Sequence, residues 1–185
     1  MAVVTTALTE LRPDGPAYRE RSAVELAGTA SPESVADLLW NVDPGPWEPA
    51  RLEVPAVLAV RDRMPWTVVM VGAQDPLRSD LRPAAVVRAA RVVTSTLATG
   101  PGVELPADTP LAVRLATTCC RTTPPPEVVD AVRTAMVLLA DHELATSTLA
   151  VRVAASVRAS PYGAIAAGLA TVDGALHGSA SREAH

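Results

Sequence analysis

The chain has 185 residues, a formal net charge of -4, 49% hydrophobic residues and 19% charged residues. This balance excludes a disordered chain, and the length sets one domain as the default count. All 16 basic residues are arginine, and the small acidic surplus provides no electrostatic footprint for nucleic acid or an anionic membrane. Aromatic residues make up only 3% and Phe is absent, so the core must consist of small aliphatic side chains that favour close helix packing.

The lack of a signal-like segment at residues 1–8 and the cysteine usage predict a cytoplasmic protein. Residues 1–8 have no basic segment followed by an apolar one, and the longest uncharged run, residues 159–172, is too short and too rich in Gly and Ala to span a bilayer. Cys119 and Cys120 are adjacent, a spacing that does not match common zinc sites. We therefore expect reduced, packed cysteines and no membrane association.

The first segment predicts a β-hairpin within residues 1–21. Residues 3–12 alternate loosely between apolar and polar side chains, as in a strand. Turn residues follow at positions 12–15, where Arg-Pro-Asp-Gly combines a proline that fixes φ with an exit glycine. Residues 16–19 then form the second arm.

The next segments have helical periodicity. Ser22 is the expected N-cap of a helix over Ala23–Ala27, and Gly28 is its expected stop. A second helix begins at Ser31-Pro32 and ends at Trp40.

After the second helix, a region with four prolines, residues 41–55, is expected to be a loop. Residues 57–61 predict a short helix before Pro65. The β-branched run at 67–71 fits either a buried strand or a helix interior, and we choose a helix because of its context.

The remaining chain predicts five further helices. One follows Pro83, with Arg88, Arg91 and Ser95 opposite its apolar stripe. The next begins at Pro110, capped by Asp108 or Thr109, and ends near Cys120. An apolar helix over residues 128–139 leads to Asp141, His142 and Glu143, and helices over 147–158 and 161–172 follow. The predicted fold is all-α and multihelical, with one small N-terminal hairpin.

Two of the three histidines lie in distinctive segments near the C-terminus. His142 stands between Asp141 and Glu143 in D-H-E-L-A-T-S-T, and His177 stands in the Gly-flanked break G-A-L-H-G-S-A-S. These segments, with P-Y-G-A-I-A-A-G-L between them, resemble the citrate synthase family, whose sequences read approximately D-H-E-L-N-A-S-T and G-P-L-H-G-G-A-N. The hairpin resembles the family's N-terminal ribbon, although Glu20 stands where the family usually has Gly.

The resemblance implies a function and a domain organisation. It implies an acyltransferase that condenses an acyl-CoA, expected to be acetyl-CoA, with oxaloacetate to give citrate and CoA, the reaction of the tricarboxylic acid cycle. His177 would be catalytic and would hydrogen-bond the thioester carbonyl oxygen, while His142 would bind oxaloacetate. No cofactor or metal is expected besides the acyl-CoA substrate. Residues 22–185 would form a helical citrate synthase-like domain that ends where the small CoA-binding domain would begin.

The sequence also departs from the family pattern. Ala145, Ala175 and Ser181 replace the residues Asn, Pro and Asn that the family usually has. In the family, a further His, the carboxylate base and substrate-binding arginines lie downstream of L-H-G, and none of them can be assigned in this chain. The resemblance implies another copy as a partner, in a homodimer, and the missing residues imply a second-half chain in a hetero-oligomer.

Two alternatives remain open at this point. The first is a non-catalytic, truncated helical module for oligomerisation or regulation, motivated by the missing base and the altered Ala145 and Ser181. A lone histidine after an apolar helix is also more often a packed or capping residue than a catalyst. The second is a metal site built from His142, Glu143, His177 and His185. It is the weaker one, because Thr146 prevents an H-E-x-x-H motif.

Overall fold

The computed structural model describes residues 6–55, 57–142 and 145–178, without the side chains of residues 60 and 61. The described residues form eight α-helices and one three-stranded antiparallel sheet, which confirms the predicted all-α fold with its small N-terminal hairpin. The elements are β1 Thr9–Arg12, β2 Gly15–Tyr18, β3 Arg21–Ser22, α1 Ala23–Thr29, α2 Pro32–Trp40, α3 Val60–Gln74, α4 Pro83–Ala98, α5 Leu111–Cys120, α6 Pro126–Leu138, α7 Thr146–Ser156 and α8 Pro161–Val172. None of the described helices is both long and apolar enough to cross a membrane.

The chain divides into two compact units, although its length sets a single domain as the default. Unit 1 comprises Met1–Trp47 and Ala98–Glu143, and unit 2 comprises Glu48–Leu97 and Leu144–His185. The proposed division into a hairpin over residues 1–21 and a helical domain over residues 22–185 stays a prediction.

The β-sheet of unit 1 packs on α1 and α6. Strand β1 pairs with β2 from Thr9 opposite Tyr18 to Arg12 opposite Gly15. The two-residue strand β3, which the sequence did not predict, extends the hairpin by pairing with β2. The core of the unit consists of buried small or aliphatic residues around one buried tyrosine: Tyr18, Ala23, Leu26, Ala27, Val35, Leu39 and Val137.

Helix α1 ends differently from the prediction. Gly28 lies inside α1, which continues to Thr29. The helix needs no glycine at its end because Arg133 of α6 donates to the carbonyl oxygens of Ala27, at 2.7 Å, and Ala30, at 3.0 Å. The last carbonyl groups of a helix need hydrogen-bond donors, which the backbone after a C-terminal glycine usually supplies. In α1 a side chain from another helix supplies them instead.

The start of α5 also differs from the prediction, since neither Asp108 nor Thr109 caps it. Pro110 is the N-cap and makes no side-chain hydrogen bond. Instead, Oε1 of Glu33 in α2 accepts a 2.6 Å hydrogen bond from the backbone N–H of Leu111. The carboxylate also suits the positive end of the helix dipole.

A buried guanidinium organises the loop before α5. Arg114 is 0% exposed and donates to the carbonyl oxygens of Pro106, Ala107 and Thr109 at 2.7–2.9 Å and to the Thr99 hydroxyl at 3.1 Å. Burial lowers the pKa of Arg114, against the opposing effect of Asp108 and Glu33. The loop therefore folds around a charge that carbonyl dipoles solvate in place of water.

Helix α3 corrects another boundary in unit 2. The short helix expected to stop before Pro65 instead runs from Val60 to Gln74 with Pro65 inside it. The helix chosen for 67–71 is confirmed. Pro65 removes one backbone donor, but Val68 and Val71 are buried against the core with Tyr162, and this burial outweighs the loss.

Helix α4 buries polar groups on the side opposite its apolar stripe. Arg91 is 8% exposed and Ser95 is 0% exposed, so α4 is covered on both sides. Arg88 donates to both carboxylate oxygens of Asp75 at 2.7 and 2.8 Å. Unit 2 thus contains an interior polar network beside its aliphatic core.

Candidate functional site

The segment that carries His142 follows α6. The helix ends at Leu138, so Asp141 and His142 lie beyond its last turn rather than on it, and His142 is exposed. Two contacts from the N-terminal strands hold this segment. The buried Tyr18 donates a 2.8 Å hydrogen bond to the carbonyl oxygen of Leu138, and the Thr9 hydroxyl donates to the carboxylate of Asp141.

The Tyr18 contact is a neutral hydrogen bond. Burial raises the pKa of the Tyr18 phenol, which keeps it protonated and able to donate to Leu138. The strands therefore fix the backbone entering the D-H motif within unit 1. This relationship gives the N-terminal ribbon a role in placing His142 that hydrophobic periodicity could not reveal.

His177 lies in a compact turn after α8. Its backbone N–H donates to the Gly174 carbonyl at 3.0 Å, and the N–H of Gly178 donates to the Val172 carbonyl at 2.9 Å. A Cβ atom on Gly178 would lie 2.5 Å from that carbonyl oxygen, so no side chain fits there. The Gly-flanked break predicted from sequence is thus a turn folded back on the end of α8, with His177 partly buried.

The contact partner of His177 is Ser147, in the first turn of α7. Nε2 of His177 lies 3.0 Å from Oγ of Ser147. When the hydroxyl donates this bond, the proton of the neutral imidazole resides on Nδ1, which is then a donor available to a ligand. The sequence does not mark Ser147 as a site residue, although Ser147 belongs to the D-H-E-L-A-T-S-T segment, because its partner lies thirty residues away.

Close helix packing makes the Ser147 contact possible. Helices α7 and α8 pack together, and a Cβ atom on Gly168 would lie 2.6 Å from Cγ2 of Val151. The small residue lets the two helices approach, which brings the start of α7 to the turn after α8. Ala145 is the N-cap of α7 and makes no side-chain hydrogen bond.

The structure places the two predicted histidines in different units: His142 in unit 1, and His177 with Ser147 in unit 2. Glu143, Ser181 and His185 lie outside the described residues. Within the described ranges, no group of three or more His, Cys, Asp or Glu side chains is placed to hold a metal ion.

Comparison with known families bears on these motifs. The family model described as citrate synthase, C-terminal domain, matches residues 83–185, more than half of the chain, and this range includes both histidine segments. The chain belongs to the citrate synthase family. The matched model carries the name of a C-terminal domain, so the correspondence of this chain to the first half of a citrate synthase subunit stays a prediction.

Two curated citrate synthases are similar over a shorter stretch. The citrate synthase of Thermoplasma acidophilum is 45% identical over 58 residues, 31% of this chain and 15% of that protein. The citrate synthase of Saccharolobus solfataricus is 41% identical over 61 residues, 33% of this chain and 16% of that protein. The matches thus span a small part of these relatives.

Solved citrate synthases share the fold. The structure from Pyrobaculum aerophilum has a TM-score of 0.80 at 22% identity and is matched over 99% of this chain. That from Thermotoga maritima has a TM-score of 0.68 at 20% identity over 98%. The Thermoplasma acidophilum enzyme, solved as a ternary complex with carboxymethyl coenzyme A and oxaloacetate, has a TM-score of 0.73 at 20% identity over 97%. The chain spans 56% of each of these solved citrate synthases.

Proposed function

We propose that this chain forms part of a citrate synthase-type acyltransferase that condenses acetyl-CoA with oxaloacetate to give citrate and CoA. Family membership over the segment that carries both histidine motifs is the observation that supports this function. The related Thermoplasma enzyme in complex with a CoA analogue and oxaloacetate supports the same substrate pair. The reaction needs no cofactor besides its acyl-CoA substrate.

In this proposal His177 acts on the thioester. Removal of a methyl proton from an acyl-CoA places developing negative charge on the thioester oxygen, and a positioned N–H donor stabilises that charge. With its Nε2 bonded to the Ser147 hydroxyl, His177 offers Nδ1–H as the donor. Ser147 is thus a positioning residue that selects the tautomer and the ring orientation.

His142 binds the second substrate in the same proposal. Oxaloacetate carries two carboxylates and a ketone, which an imidazole N–H recognises by hydrogen bonding. The contacts of Tyr18 with Leu138 and of Thr9 with Asp141 fix the backbone before His142. The ribbon therefore supports substrate binding indirectly.

In the same proposal, the base that removes the methyl proton belongs to the complementary C-terminal half of the fold, which a second chain can supply. This chain spans 56% of each of the solved citrate synthases. We propose a hetero-oligomer with such a chain, or a homodimer, as the working assembly. The cytoplasmic location predicted from the sequence stays a prediction.

A second candidate is the non-catalytic helical module for oligomerisation or regulation. The observation that favours it is exposed apolar surface at α7. Among the described residues, Val153 is 66% exposed and Val157, which follows the helix, is 76% exposed. Such surface is typical of protein contacts. In that case the histidine motifs would be remnants, and no assembly containing this chain would turn over.

Release of free CoA thiol from acetyl-CoA and oxaloacetate tests the proposal. The chain is assayed alone and with any co-purifying partner, and each preparation is compared with His177→Ala and His142→Ala. His185→Ala is the matched histidine control. Turnover that the first two substitutions abolish and the third leaves intact supports the proposal. No turnover in any assembly, although the partner binds, supports the non-catalytic module.

The role of Ser147 has its own measurement in the same assay. Ser147→Ala leaves His177 without its tautomer-selecting partner, so kcat falls while the KM for oxaloacetate stays near its original value. Ser147→Thr keeps the hydroxyl and restores kcat. Equal losses in both variants would contradict a positioning role and indicate a packing defect.

A further inference from the structure

Ser147 and His177 have the geometry of a nucleophile and its general base. The 3.0 Å separation between Oγ and Nε2 lies within hydrogen-bonding distance, which is what activation of a serine hydroxyl by an imidazole requires. Both residues are partly exposed, so a small ester can reach the hydroxyl. Among the described residues, the Ser147 hydroxyl has no other hydrogen-bond partner.

The start of α7 supplies donors for an oxyanion beside this hydroxyl. Ser147 is the second residue of the helix, and N–H groups in a first turn have no intrahelical acceptor. The N-cap Ala145 provides no side-chain acceptor for them. In hydrolases with a nucleophile at a helix start, the N–H of the residue after the nucleophile forms part of the oxyanion hole. Thr148 occupies that position here.

We propose that Ser147 and His177 form a nucleophile–base pair that hydrolyses activated short-chain acyl esters and thioesters without oxaloacetate. Oγ of Ser147 attacks the acyl carbonyl carbon while its proton passes to Nε2 of His177. The bond to the leaving alcohol or thiol breaks, and His177 returns the proton to that group. Water then attacks the acyl-serine with His177 again as base, which releases the carboxylic acid and regenerates both side chains.

This hydrolysis is a different reaction from the proposed condensation, and each of the two can be disproved without disproving the other. It needs neither oxaloacetate nor the carboxylate base of a complementary chain. The structure shows no carboxylate partner for the His177 ring within its described part, so the base lacks the third group of a triad. We therefore expect slow turnover with a long-lived acyl-serine, because an orienting carboxylate accelerates such pairs.

Hydrolysis of p-nitrophenyl acetate by the full chain, in the absence of oxaloacetate and CoA, tests the inference. Wild type should exceed Ser147→Ala and His177→Ala by at least about 100-fold in initial rate, the lower end of the range for positioned acid–base groups. Ser156→Ala, at the other end of the same helix, is the matched control and should keep the wild-type rate. Circular dichroism melts establish that each variant is folded.

Acyl trapping gives a readout that does not depend on variants. The chain contains no lysine, so the commonest competing amine is absent. After acid quench, the acetyl group should reside on Ser147 in the tryptic peptide that spans residues 134–152, and phenylmethylsulfonyl fluoride should label the same serine. Equal rates in wild type and Ser147→Ala, or acetyl groups found only on Cys119 or the N-terminus, would overturn the inference.

Discussion

The phenol of Tyr162 in α8 donates a 2.7 Å hydrogen bond to Oδ2 of Asp75, at the end of α3. Arg88 of α4 donates to the same carboxylate, so one buried anion ties three helices of unit 2 together. Burial alone would raise the pKa of Asp75, but the hydrogen bonds from Tyr162, the Leu77 N–H and Arg88 outweigh it and lower that pKa.

This network predicts a pH-dependent stability. Because the pKa of Asp75 is lower in the folded chain, its stabilisation is present above the unfolded pKa of about 4 and is lost as the pH falls through the folded value. Asp75→Asn should cost about 2 kcal/mol of unfolding free energy at pH 7, and the difference from wild type should shrink near pH 3.

Urea unfolding at the two pH values measures the Asp75 effect. Glu10→Gln is the control, because the Glu10 carboxylate in its pair with Arg12 is 64% exposed and exposed ion pairs contribute little. A difference between Asp75→Asn and wild type that stays constant from pH 7 to pH 3 would contradict the assignment.

Gly72 is required by the ring of Tyr162. A Cβ atom at position 72 would lie 2.7 Å from Cγ of Tyr162, and the ring is buried at 4% exposure. Gly72→Ala should therefore destabilise the chain by about 1–3 kcal/mol through overpacking. Gly28→Ala is the matched control, since an added methyl group there would meet no atom within 4 Å, and it should raise stability by about 0.5–1 kcal/mol.

Glu20 adopts a backbone conformation that suits glycine. Its φ of 72° lies in the left-handed region, where a side chain costs about 1–2 kcal/mol. Glu20→Gly, which introduces the residue usual in the family, should raise the thermal midpoint by relieving this strain. Glu10→Gly, in the middle of β1, should lower it, because glycine weakens a strand interior. A lower midpoint for Glu20→Gly would show that the Glu side chain makes a compensating contact.

Glu33 and Asp108 offer a direct comparison of two proposed caps for α5. Glu33 accepts the hydrogen bond of the Leu111 N–H, whereas Asp108 makes no cap contact. Glu33→Ala should lower the unfolding free energy by about 1–2 kcal/mol, as loss of a cap does, and Asp108→Ala should leave it almost unchanged. Denaturant titration of both variants decides between the caps, and the reverse order would contradict the observed one.

Ala145 leaves the start of α7 without a side-chain acceptor. Its φ of -52° and ψ of 147° are compatible with an N-cap, and asparagine is among the best N-cap residues. Ala145→Asn should stabilise the chain by about 1 kcal/mol, while Ala155→Asn, inside the same helix, should destabilise it slightly. Thermal melts of the two variants test this prediction. A change of the melting temperature in the same direction for both variants would contradict a capping role for position 145.

Local patterns are sufficient to predict most elements of this fold. Ser22, Ser31 and Ser160 each cap the helix that they precede, because such caps act between residues three apart. Helix α8 occupies residues 161–172 as predicted. The hairpin follows from turn chemistry at residues 12–15, where two adjacent strands reverse direction.

The differences arise where distant residues compensate for a local rule. Arg133 replaces a glycine cap for α1, and Glu33 replaces a local cap for α5. Arg114 is buried because loop carbonyls surround it. Ser147 could not be predicted for the same reason, since its relation to His177 depends on the packing of α7 against α8. Such contacts between residues far apart in the chain cannot be predicted from the periodicity of a single sequence.

Helix α7 carries Ser147 yet buries none of its residues. Because its residues are only partly covered, we expect α7 to open locally before the core helices, so its amides should exchange earlier. Opening of α7 would also release the contact between Ser147 and the His177 ring. A ligand or chain that binds α7 would therefore restrict the orientation of that ring.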